Sequence, residues 1–159
     1  MTTPAQAPTT TQVIQAWLRH VGFSNSSTVI PQPDSWMTTP GFWVRIAGVV
    51  GGSAGLDIPE NGPVVQLETV AAARAAAGAK STSRKLPRGL AESKMQAVCA
   101  ATYASPAGLD LQLPADMRPV WLTSIYPVSA VRELPDPSPN FARYSADIYV
   151  GWIERNPVG

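Results

Sequence analysis

Residues 41–70, GFWVRIAGVVGGSAGLDIPENGPVVQLETV, hold two runs of strand character with a glycine-rich stretch between them. In the first run, Phe42–Val49, side chains alternate between faces. Phe42, Val44 and Ile46 share one face, and Trp43, Arg45, Ala47 and Val49 share the other. Both faces are largely apolar, so neither is expected to be freely solvated. The second run, Val64–Val70, alternates more cleanly: Val65 and Leu67 point one way, Gln66 and Glu68 the other. Between the runs, Gly51-Gly52-Ser53-Ala54-Gly55 reads as a turn within a mobile loop, Gly48–Gly62. These glycines match neither the dinucleotide fingerprint nor the P-loop, and no Lys-Ser/Thr pair follows them.

Upstream, Val13, Ile14, Trp17, Leu18 and Val21 form one stripe at helical spacing. Thr10 or Thr11 is the expected cap and Gly22 the expected stop. Docking on the sheet is the preferred role for this stripe, and packing on a neighbouring subunit the sharper one. Before it, residues 1–10 read as a flexible arm. After it, residues 24–39 are broken by proline, with a short strand possible at Thr28–Ile30. Trp36 and Met37 sit in that loop, where such residues more often plug the edge of a core than form a contact surface.

Downstream, Ala71–Ala79 is alanine-rich and reads as a frayed helix or a close-packing surface. Residues 71–91 carry Arg74, Lys80, Arg84, Lys85 and Arg88 and no acid. A basic patch for nucleic acid or an acidic partner is one reading; a solvated connector is the preferred one. No aromatic residue is interleaved, so base stacking is not indicated. A second helix is expected over Arg88–Tyr103, with Ala91, Met95, Val98 and Thr102 as its central stripe. A short edge strand is expected at Leu109–Leu113. The last third reads as a hairpin: Val120–Glu133, bent at Pro127, then Ala142–Ile153. Its tip holds Pro135, Asp136 and Pro137 and reads as a stiff docking loop. Residues 154–159 read as a flexible tail.

The expected architecture is therefore α+β. A single domain over residues 11–153 holds one mixed or antiparallel sheet of about four main strands, with two helices packed on it. The chain has 159 residues and a formal net charge of +1. That length supports a single core, and solubility does not rest on self-repulsion. Cys99 is the sole cysteine, so one chain can form neither an internal disulfide nor a cysteine zinc cage. It reads as a small core filler, and the chain as one that folds in a cytoplasm. The start of the sequence lacks a signal-peptide pattern, and no apolar run is long enough to span a bilayer.

Covalent chemistry is not indicated. His20, the sole histidine, falls at the end of the first helix, where a capping role suits it. No orienting carboxylate or nucleophile lies at a recognised spacing from it. The acidic residues are scattered, and there is no Gly-x-Ser-x-Gly elbow. No cofactor and no metal is expected.

The run VIQAWLRH (13–20), then GFWVRIAGVVGG (41–52) and PVVQLETVAAARAAA (63–77), an alanine-bearing helix, and the return arm ARYSADIYVGWI (142–153) together resemble the tail terminator proteins of long-tailed bacteriophages, especially those of actinobacterial hosts. The similarity is one of layout and spans about residues 12–153. It implies a small α/β domain in a hexameric ring that caps the finished tail tube, ends its polymerisation and joins it to the head connector. The implied partners are further copies of the chain, the tail tube protein and a head-completion or stopper protein. Genomic DNA would pass through the lumen without sequence-specific contact, and no membrane is involved. The implied location is the virion's head–tail junction, with assembly in the host cytoplasm.

The resemblance carries over no catalytic residue. For ring and neck contacts the expected residues are Trp17, Trp36, Trp43, Arg45, Gly51, Gly52, Asp57, Arg74, Arg84, Lys85, Pro135, Asp136 and Pro137. With Trp121 and Trp152, the five tryptophans exceed what a core of this size requires, and tryptophan is enriched at interface hot spots. Two other readings stand beside this one. Another head–tail joining protein, a stopper or adaptor, would sit on the head side. A small enzyme would need a buried carboxylate pair in a deep cleft.

Overall fold

The glycines at 51 and 52 lie inside a strand, not in a turn. A computed structural model describes residues 5–37, 41–54, 60–75, 84–85, 87–105, 108–138 and 140–155. In it β2 (Phe42–Ala54) and β3 (Glu60–Ala72) form a long antiparallel hairpin, paired as far as Ala54 and Asn61. Two register shifts, between Ile46 and Gly48 and between Val49 and Gly51, let the strand bend and continue through its glycines. Gly48 and Gly52 take φ of +147° and +101°, a region that other residues rarely enter.

A side chain at Gly52 would meet the Gly62 carbonyl oxygen and, at 2.5 Å, the Pro63 Cα. Gly52→Ala is therefore expected to lower the urea midpoint by the equivalent of about 2 kcal/mol. At Gly51 an added Cβ meets nothing within 4 Å, so Gly51→Ala serves as the near-neutral control.

The expected sheet of about four strands is corrected to a mixed sheet of seven, curled into a half-barrel. Its order is β1 (Ser26–Ser27), β2, β3, β9 (Phe141–Glu154), β7 (Val120–Pro127), β6 (Leu109–Leu111), with β8 (Arg132–Leu134) also paired to β9. Only β1 is parallel to its neighbour. The count rises for local reasons. Ser26–Ser27 pairs with only Val44 and Arg45, too short a run to show in a pattern. Past Pro127 the expected first hairpin arm resumes as β8, so it counts as two strands. A separate ladder joins β4 (Arg74–Ala75) to β5 (Arg84–Lys85). Ala71 and Ala72 thus end a strand and start no helix; residues 76–83 lie outside the described set.

The two helices form as their stripes require. In α1 (Thr10–His20) the cap is Thr9, before either expected position, Thr10 or Thr11. Its Oγ1 accepts from the Gln12 amide, and Gln12 Oε1 accepts from the Thr9 amide at 2.8 Å, a reciprocal capping box. Gly22, at φ +97°, ends the helix. In α2 (Pro87–Ala104) Pro87 opens the first turn, where its missing N–H is harmless. Arg88 Nε donates to the Tyr144 hydroxyl at 2.9 Å, and its Nη2 meets Glu133 at 2.8 Å. The Tyr144 bond, foremost, raises the Arg88 guanidinium above its ordinary pKa.

Both helices share one core with the inward face of the sheet. Val13, Ile14, Trp17 and Leu18 of α1 join Ala91, Met95 and Val98 of α2 there. The sheet supplies Val44, Leu67, Ala146, Ile148 and Val150. Thr69, also inward, donates to the Ala91 carbonyl at 2.7 Å and ties β3 to α2. The opposite face of the sheet carries a second, smaller core of Trp36, Val70 and Ala72, with Ile30, Met37, Trp43 and Phe141 against it. The loop before β2 lies over this face. Its 3₁₀ turn, Pro33–Ser35, delivers Trp36, whose Nε1 donates to the Pro31 carbonyl at 3.1 Å.

The first and last of the described residues are tied to the loop before β7 and to β7 itself. Gln6 bridges to Met117, and its amide donates to the Asp116 carbonyl at 2.8 Å. Glu154 pairs with Arg118 at 2.6 Å, and the Arg155 guanidinium lies 4.1 Å from the centre of the Trp121 ring.

Candidate functional site

Two surfaces stand out on the molecule. The first is the outward face of β2, β3 and β9. Register sets Glu68 opposite Arg45 on one side and opposite Ser145 on the other, with Arg143 diagonal to it. Glu68 Oε2 accepts from Arg45 Nη1 at 3.1 Å and from Arg143 Nη2 at 2.6 Å. The Glu68 side chain is 6% exposed, against 36% for Arg45 and 24% for Arg143. A carboxylate this deep needs such partners, because an unpaired buried charge is strongly unfavourable. Next to the triad is a pocket of about 270 Å³. Ile30, Pro33, Trp36, Val70 and Phe141 give it apolar walls, and Arg45, Arg143 and Asp136 give it charge. The Trp36 and Phe141 rings sit 6.2 Å apart. Further along the sheet, Arg132 makes a two-point contact with Asp147, both bonds at 3.2 Å. Tyr126 and Tyr149 stack at 4.8 Å.

The second surface is the free edge of β2. Among the described residues nothing pairs with that edge beyond Arg45, because β1 covers only Val44 and Arg45. Val49 and Val50 are 54% and 55% exposed, and the run Ala47–Ala54 carries no charged residue. Gly51 and Gly52 are exposed on the same stretch.

The expected contact residues divide between these surfaces and the interior. Trp17 is fully buried in the main core, and its Nε1 donates to Ser105 Oγ at 3.0 Å. Trp36 is fully buried in the second core; Trp152 is buried in the main one. Trp43 is half-buried and donates to Ser27 Oγ at 2.9 Å; Trp121 is half-buried under Arg155. The tryptophans that looked surplus therefore have work inside the chain, since two separate cores and a loop seal must be filled. Arg45 and Asp136 both line the pocket; Pro135 and Pro137, on either side of Asp136 in the sequence, are exposed. Arg74, Arg84 and Lys85 fall on the β4–β5 ladder, and Asp57 lies outside the described residues.

Sequence reasoning missed Glu68, Arg143 and Phe141 as site residues. One signal was present: Glu68 is the lone charge between Val64 and Ala73. Its partner Arg143 is 75 positions away, so spacing could not reveal the pair. Cys99 is buried, and desolvation pushes its thiol pKa up, the wrong direction for a nucleophile. His20 is exposed on the last turn of α1. Among the described residues no cluster of His, Cys, Asp and Glu is arranged to hold a metal ion, and no helix is long and apolar enough to cross a membrane.

No protein-family model matches the chain, and no curated protein matches it.

Proposed function

We propose that the chain is a structural subunit that closes into a ring, caps the tube of a long phage tail, ends its polymerisation and joins it to the head connector. Copies of the chain, the tube protein and a head-completion protein are its partners. DNA threads the lumen without sequence-specific contact. The observation that supports this reading is the uncharged free edge of β2, with Val49 and Val50 exposed. Proteins that stay monomeric blunt such edges with lysine, proline, a bulge or a covering segment. This one has bulges, but its run Ala47–Ala54 has no charge and no proline, and among the described residues no strand covers it. A strand edge that meets a different surface on the next copy makes a head-to-tail contact, which closes into a ring when the rotation permits.

Light scattering on the purified protein tests the reading. The wild type is expected to form a ring, or a monomer–ring equilibrium that shifts with concentration. Val50→Lys is expected to shift it toward monomer by roughly tenfold or more in assembly constant, through a charge buried at the contact. Its thermal midpoint should stay close to wild type, because the site is exposed. Label on the protein in assembled particles should sit at the tail side of the head–tail junction; a head-side position assigns it instead to a stopper or adaptor. A monomer at every concentration, together with uniform tails in particles lacking the protein, defeats the proposal.

A further inference from the structure

We propose that the pocket between Trp36 and Phe141 binds a carboxylate carried on an apolar body, held by Arg45 and Arg143. The inference stands apart from ring assembly and concerns the opposite side of the same hairpin's base. Arg45 and Arg143 both touch a single oxygen of Glu68. Two guanidiniums therefore share one buried negative charge, and the triad keeps a net positive charge. Guanidinium presents five donors in a fixed fork suited to carboxylate. Arg45 uses Nη1 on Glu68 and Nε, at 3.5 Å, on the Thr28 carbonyl. Arg143 uses Nη2 on Glu68; its Nε is enclosed, out of a ligand's reach, and has no acceptor among the described residues. Because both forks meet at one oxygen, Arg45 Nη2 and Arg143 Nη1 are left for a second carboxylate in the pocket that both residues line.

The walls fix the rest of the ligand. Trp36, Phe141, Val70, Ile30 and Pro33 offer only apolar surface to whatever fills the pocket. Its volume of about 270 Å³ suits a phenyl or branched aliphatic group with a short acid arm. Asp136 is the opposing charge. Its Oδ1 accepts from the Ser138 amide at 2.9 Å, which holds the carboxylate at the turn, on the pocket's lining. Its field weakens an anionic ligand, so its removal must strengthen binding. That sign separates recognition by charge from simple filling of an apolar pocket.

Titration of the full chain by nitrogen–proton NMR tests this. The probes are 3-phenylpropionate, the dipeptide N-acetyl-Ala-Phe with a free C-terminal carboxylate, and the amide of each. Saturable shifts of the Trp36 indole and the Arg45 and Arg143 Nε signals with either acid, but with neither amide, are expected. The first acid alone identifies a small-molecule site; the dipeptide alone, or more tightly, identifies a chain terminus. Arg45→Gln should weaken the acid by roughly tenfold, the scale of a lost charge-assisted contact. Asp136→Asn keeps the acceptor for Ser138 and should tighten binding by roughly threefold. Saturation by neither acid, equal shifts with acid and amide, or no gain in Asp136→Asn overturns the proposal. Titrating Val50→Lys, the variant expected to be monomeric, beside the wild type keeps failure of this site distinguishable from failure of the ring.

Discussion

Trp17→Ala is expected to destabilise the chain by about 4 kcal/mol, the scale of a large aromatic removed from a packed interior. The side chain is fully buried where α1 meets the sheet core. It also carries a polar link between the helices. Trp17 Nε1 donates to Ser105 Oγ at 3.0 Å, and Ser105 Oγ donates to the Ala101 carbonyl at 2.9 Å, at the end of α2. Alanine removes the ring and leaves a cavity that both helices must close. A domain's whole stability is about 5–15 kcal/mol, so this one change threatens the folded state. Urea unfolding should show a lower midpoint with an unchanged slope. Trp17→Phe should lose only about 1–2 kcal/mol, because most of the apolar surface stays and Ser105 keeps its bond to Ala101. A Trp17→Ala variant as stable as wild type would show that α1 is not seated in this core.

The second large effect is expected at Glu68. Glu68→Gln removes the one negative charge shared by two guanidiniums and leaves Arg143, 24% exposed, without a counter-ion. Loss of one partner of an enclosed pair is costly, on the order of 3 kcal/mol, and solvent access to Arg45 keeps the value at the low end. The double variant Glu68→Leu with Arg143→Met should be more stable than either single change, since it leaves no orphaned charge inside. Chemical unfolding of Glu68→Leu, Arg143→Met and the double variant checks this. If the double variant loses the sum of the single effects, the two residues do not act as a pair.

Much of the sheet's inner face was legible because period-two alternation survives in long strands. Ala146, Ile148, Val150 and Trp152 all face inward as their spacing implies. The stripe Ala91, Met95, Val98 and Thr102 is likewise buried. The Leu109 edge strand and the Pro127 break were legible from alternation and from proline's missing donor. Legibility failed where local preference and tertiary pairing disagree. Glycine disfavours strands, yet Gly51 and Gly52 pair with Val64 and Pro63, because the opposite strand supplies a continuous ladder. Alanine favours helix, yet Ala71 and Ala72 are held as strand by Phe42, Ala142 and Phe141 across the ladder. The pocket was hidden for a different reason. It joins a loop residue, Trp36, to strand residues far along the chain, and alternation reports which face a side chain takes but not which strand lies alongside.

The position of β9 has a bearing on how the molecule is made. Its one edge is occupied by β3 and the other by β7 and β8. A nascent chain that has delivered β2 and β3 must therefore wait, with half of its sheet unpartnered, until the stretch Phe141–Glu154 emerges. Contacts this distant along the chain make folding slow and leave strand edges open meanwhile. The strand that comes last along this sheet's sequence thus acts as its keystone: until it pairs, the inner edge of β3 stays as open as the outer edge of β2.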